Sequence, residues 1–146
     1  MAQDAIALLE ADHQRVETLF RDFQASSADQ ATKLDLAQII CMELTMHATL
    51  EEELFYPALA QASGDRQLVQ HALDEHQQVK ELIAQVPQAQ DVDGIIAEIA
   101  KNMLQHIEEE RRDIFPKAKS SGMDLAALGQ KVESRRSELA AVHQEA

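Results

Sequence analysis

Two stretches of the chain repeat a pattern that can do chemistry: "HATLEEELFYP" at 47–57 and "HIEEERRDIFP" at 106–116. In each, a glutamate follows the histidine by four residues, and an aromatic and a proline stand nine and ten residues past it. Residues four apart on a helix share a face one turn apart, so His47 with Glu51 and His106 with Glu110 each offer an imidazole beside a carboxylate. A second echo, "DHQRVETLF" at 12–20 and "EHQQVKELI" at 75–83, adds His13 and His76. Imidazole and carboxylate together are ligands for a metal ion, or else members of a hydrogen-bonded polar core.

The apolar neighbours show which way these groups face. Ile6, Leu9, His13, Val16 and Phe20 form one stripe, and Leu36, Ile40, Leu44, His47, Glu51 and Leu54 a second. Val69, Ala72, His76, Val79 and Ile83 form a third; Val92, Ile96, Ile99, Met103, His106, Glu110 and Ile114 form the fourth. Steps of three and four mark these as the inward faces of amphipathic helices. Four imidazoles and two carboxylates therefore converge inside an apolar core. A buried bare carboxylate costs several kcal/mol, against a whole-domain stability of about 5–15 kcal/mol. A divalent or trivalent cation resolves that conflict by neutralising the carboxylates and using the imidazole lone pairs. Two glutamates can bridge two ions, leaving two histidines for each. Imidazole and carboxylate without thiolate suit iron first and manganese next, whereas a structural zinc site favours cysteine and closed tetrahedral geometry.

The elements that carry these residues are delimited by four turn-rich clusters: 26–29, 62–65, 86–94 and 119–124. Ser27 or Asp29, Asp65, Asp91 or Asp93, and Asp124 stand where each would cap the following helix. Helices joined by short loops imply an all-α, antiparallel up-down-up-down four-helix bundle over 1–118. The segment 119–146 reads as an additional C-terminal helix packed on or beside it. The two pairs of echoes make the bundle a duplicated helical hairpin, with offsets of 63 between the first motifs and 59 between the second.

Bulk properties narrow the partners. A net charge of −13 without a basic cluster disfavours nucleic acid and an anionic membrane surface. No apolar run approaches the roughly 18 residues of a membrane span, and the lone Cys41 allows no internal disulfide. A cytoplasmic monomer or weak homodimer is the expectation.

At "DHQRV", "HATLEEELFYP", "EHQQV" and "HIEEERRDIFP" the chain resembles the hemerythrin-like family, the His-His-Glu cation-binding domain, in the family's order over residues 12–116. The resemblance implies a bundle with two Fe ions, a di-iron centre carrying an oxo or hydroxo bridge. One iron would take His13 and His47, the other His76 and His106, with Glu51 and Glu110 bridging. The chain departs from oxygen-carrying members. Ala72 stands where they have a fifth histidine, and Glu110 at four residues replaces an aspartate at five. Glu17 and Glu43 are candidates for an extra ligand; their repeat partners are Lys80 and Asn102. His71 and His143 read as surface, as do Glu52, Glu53, Glu108 and Glu109. Tyr56 and Phe115 lie about 180° from the histidine on an ideal helix and read as packing at the helix end. Leu44, Val16, Val79 and Met103 should wall the centre. The functions implied are binding of O2, NO or peroxide; the alternatives are peroxide decomposition or oxidase chemistry, and iron buffering or sensing.

Overall fold

The computed structural model describes residues 3–27 and 29–145, the last three by backbone alone, so the His143 side chain lies outside the described residues. Its helices are α1 (Ala5–Ala25), α2 (Gln30–Leu50), α3 (Tyr56–Ser63), α4 (Arg66–Gln85), α5 (Val92–Glu109), α6 (Phe115–Ser120) and α7 (Leu125–Glu145). There is no strand among the described residues. A π turn at Glu51–Phe55 joins α2 to α3, and a second at Glu110–Ile114 joins α5 to α6. Each pair is thus one continuous rod. The four rods α1, α2–α3, α4 and α5–α6 form the all-α bundle expected from the sequence, and α7 packs against α1 and α2.

The helix starts bear out the expected capping chemistry. Asp29, Asp65, Asp91 and Asp124 accept from the backbone N–H three residues on, at 2.8, 3.1, 3.0 and 3.0 Å, and Asp4 does the same for α1 at 2.8 Å. Gly64 ends α3 in the left-handed conformation at φ 73°, which a side chain would strain.

The π turns have a sequence cause. Pro57 and Pro116 lack an N–H, and in an α-helix each ring would press on the carbonyl four residues back. Widening the preceding turn relieves both faults: Tyr56 N–H donates to Glu51 O and Phe115 N–H to Glu110 O, five residues apart. One extra residue in a turn rotates everything beyond it by about 100°. The second stripe accordingly leaves Leu54 only partly buried and continues through Phe55, Tyr56 and Leu59. An ideal helix would face Tyr56 away from the His47 side; the π turn brings it into the interior.

The core lies in two apolar layers. Leu9, Leu50, Phe55, Ala72 and Phe115 belong to one, which also takes Leu128 and Val132 from α7. Phe20, Phe23, Ile40, Ile96 and Met103 belong to the other. Along every rod the histidine falls between the two. The axis of α7 comes so close to the start of α1 that a Cβ on Gly129 would lie 2.5 Å from the Gln3 carbonyl oxygen.

Candidate metal centre

The six donors anticipated from the stripes meet in the polar layer. His13, His47, Glu51, His76, His106 and Glu110 are each no more than 4% exposed. His13 Nε2 lies 3.0 Å from Glu110 Oε1, and His106 Nε2 lies 3.4 Å from the same oxygen. Glu51 Oε1 stands 3.2 Å from His47 Nε2 and 3.1 Å from His76 Nε2. Each carboxylate therefore touches one histidine from either half of the chain. The donor atoms fall into two groups able to hold a cation, His13, His47, Glu51 and Glu110 in one, Glu51, His76 and His106 in the other.

Tyr56 joins them. Its hydroxyl oxygen sits 2.9 Å from Glu110 Oε2, 3.2 Å from His106 Nε2 and 3.3 Å from both His76 Nε2 and Glu51 Oε1. One hydroxyl proton can serve only one of those acceptors. His76 Nε2 and His106 Nε2 also face each other at 3.1 Å, while His47 Nε2 and Glu51 Oε2 are buried without a hydrogen bond. With the imidazoles neutral, lone pairs outnumber protons here, a shortfall that a bound metal ion makes good.

Around these donors stands a set of acids that fix the rings. Asp12 Oδ2 is 2.9 Å from His47 Nδ1, Glu75 Oε1 is 2.7 Å from His106 Nδ1, and Glu52 Oε2 is 2.7 Å from His76 Nδ1. Asp12 and Glu75 are the acids written immediately before His13 and His76, and each reaches across to the histidine of the next rod. That signal was visible in both copies of the motif. Glu52 corrects a surface assignment: it turns inward on His76 while Lys80 Nζ donates to its other oxygen at 2.7 Å. Arg136 of α7 also donates to Asp12 Oδ2, at 2.7 Å, a contact no spacing rule announces.

Charge follows burial and pairing. Burial opposes the charged form of His47, yet Glu51 and Asp12 outweigh it and hold the imidazolium well above its usual range. The same contest, settled by Glu51 and Glu52, brings His76 to about 9. Burial pushes Glu51 up, but the His47 charge and neighbouring hydrogen bonds carry it well below the carboxylate range. Glu110 is raised by burial and by the Glu51 charge beside it. Burial, Glu110 and Glu51 together raise the Tyr56 phenol.

The remaining candidates lie elsewhere. Glu17 is bound to Arg111 at 2.9 Å and Glu43 approaches Arg15 at 3.4 Å, so neither reaches the interior donors. His71 is 63% exposed and faces Glu75 and Glu109 at 3.5 and 3.3 Å. Glu53 pairs with Arg135 at the surface. Val16, Leu44, Val79 and Met103 are buried in the layer beside the histidines, as expected.

The hemerythrin HHE cation binding domain family matches residues 4–118. The chain belongs to the hemerythrin HHE family. A crystal structure of a hemerythrin HHE cation binding domain-containing protein from Mycobacterium kansasii shares its fold, with a TM-score of 0.79 over 94% of this chain and 87% of that one, at 24% identity. A DNA nickase from Nostoc sp. (strain PCC 7120) is 30% identical over 117 residues, 77% of this chain. This HHE chain spans about a third of that relative's length, 32%.

Proposed function

We propose that this HHE protein holds a pair of non-heme iron ions between its four rods and binds a small molecule, O2, NO or peroxide, there. The observation that supports this most directly is the buried layer of four imidazoles, two carboxylates and one phenol, whose lone pairs exceed the available protons when the imidazoles are neutral. A carboxylate-bridged iron pair supplies reversible binding or two-electron reduction of a small oxidant.

In this reading Glu51 and Glu110 would be shared between the ions, His13 and His47 would hold one, and His76 and His106 the other. Asp12, Glu52 and Glu75 hold the rings by Nδ1 so that Nε2 points inward. The Tyr56 oxygen stands among donors of the second position and is placed to enter its shell. A small, mainly apolar cavity of about 10 Å³ is lined by Leu44, Val79, Ile83 and Met103 together with His76. Such a space is about the size of one water molecule, far too small for an organic substrate. DNA nicking is named for a protein of which this chain spans a third, and the net charge of −13 speaks against a DNA partner here.

Metal analysis together with visible spectra under O2 and NO tests the reading. Two irons per chain and a new absorption band reversed by removing the gas are expected. Oxygen evolved from added peroxide would assign turnover instead of carriage. Growth with iron followed by purification without any would overturn the proposal.

A further inference from the structure

The duplicated hairpins place equivalent residues around the two metal positions, and the equivalents differ in charge. His76 Nδ1 has the Glu52 carboxylate at 2.7 Å, and Lys80 Nζ holds that carboxylate's other oxygen. The residue matching Glu52 in the second copy is Arg111, 59 positions on. Arg111 gives His13 no carboxylate. It binds Glu10 through Nε at 2.8 Å and through Nη2 as well, and Glu17 through Nη2 at 2.9 Å. Glu10 is thereby kept 3.7 Å from His13 Nδ1, and that buried nitrogen has no hydrogen-bond partner.

Two further differences point the same way. Tyr56 offers a hydroxyl to His76 and His106, whereas its counterpart Phe115 stacks a bare ring on His13 at 5.6 Å and 19°. The acid behind His47 is shared: Asp12 also binds Arg136 at 2.7 Å and Arg15 at 3.1 Å. The acid behind His106, Glu75, has Glu109 and the exposed His71 beside it and, among the described residues, no guanidinium. A carboxylate behind an imidazole makes it a stronger metal donor, and cations on that carboxylate lessen the effect: two guanidiniums on Asp12 against the single Lys80 ammonium on Glu52.

We propose that the two metal positions are unequal: the one at His76 and His106 binds tightly and fills first, while the one at His13 and His47 is labile. This rests on the paired-iron reading above. Glu52 and Arg111 are the positioning residues that set the difference.

The test is stepwise anaerobic titration of the metal-depleted full chain with ferrous ion, followed by calorimetry, with Mössbauer spectra of samples given one and two equivalents of iron. The wild type should bind two equivalents in steps at least about tenfold apart, the first giving a single iron environment. Glu52→Gln should weaken the first step by about 10–100-fold and leave the second in place. Arg111→Ala should act in the opposite sense, freeing Glu10 to reach His13 and tightening the second step severalfold. Equal steps in the wild type would overturn the inequality while sparing the iron pair; fewer than two equivalents would overturn the pair itself, and the inequality with it. Loss of both steps together in Glu52→Gln, as for a residue with only a structural role, or an unchanged second step in Arg111→Ala, would also overturn it.

Discussion

The individual side chains divide into those that meet the interior and those that prepare them to do so. Tyr56 belongs with the first group. Tyr56→Phe should remove from the iron-loaded protein any visible band due to a phenolate donor and leave the metal count unchanged; a spectrum identical to wild type would place the phenol outside the shell. Glu51→Ala should abolish the pair, with metal analysis showing no more than one iron per chain, because Glu51 belongs to both donor groups and touches a histidine of each at 3.1–3.2 Å. The titrating groups give the metal-free protein a definite pH profile. His76 is raised from 6.5 to about 9, so its contribution, roughly 3 kcal/mol, is complete below pH 6.5 and is lost as pH rises through 9. Asp12 is lowered from 3.8 to about 2 by His47 and Arg136 against the opposing pull of burial. Its contribution is present above pH 3.8 and lost as pH falls through 2. Melting temperatures of the metal-free chain should therefore be highest between about pH 4 and 6.5. Metal must displace protons from the imidazoles, so the loaded protein should gain over the metal-free one as pH rises. The six interior donors were legible because periodicity alone shows which side of a helix a residue occupies. Glu52 was not, because its direction depends on how far α2–α3 is rotated against α4.

Among the elements, the π turns limit what periodicity can say. A strict α-helical count carries every stripe correctly as far as Glu51 and Glu110, where the turns widen, and misplaces Tyr56 beyond the first of them. The prolines at the same place in both copies were the available signal of an extra residue. A π turn of this kind can give up one residue and become an α turn without rotating the helix beyond it. Deletion of Glu53, which is exposed, should keep Tyr56 and Leu59 on the buried face and the chain helical, at a cost of about 3 kcal/mol because Pro57 then follows an α turn. Deletion of the exposed Lys101 within α5 should instead turn His106 and Glu110 about 100° away from the interior and abolish metal binding. Circular dichroism melts and metal content of the two deletions make the comparison. Cys41 fits the same element logic: burial pushes its thiol up to about 11, as suits a packing residue facing the apolar layer.

For the molecule as a whole, α7 is part of the bundle's packing. Leu128 and Val132 share an apolar layer with Phe55 and Phe115, so the C-terminal segment should melt together with the rest in one transition. Leu128→Ala should lower stability by about 2–4 kcal/mol through the cavity it leaves, measured by denaturant unfolding. The two hairpins also recognise each other. Glu17 and Glu52 belong to the first, Lys80 and Arg111 to the second, and the pairs that form are Glu17 with Arg111 and Lys80 with Glu52. Each such surface pair is worth only about 0.2–1 kcal/mol, but their arrangement has a direction. Two copies of the first hairpin would set glutamate against glutamate at these points, and two copies of the second lysine against arginine. A chain built by duplication could exchange halves with its neighbours during folding; reversed polarity makes each half prefer the other and reject its own likeness.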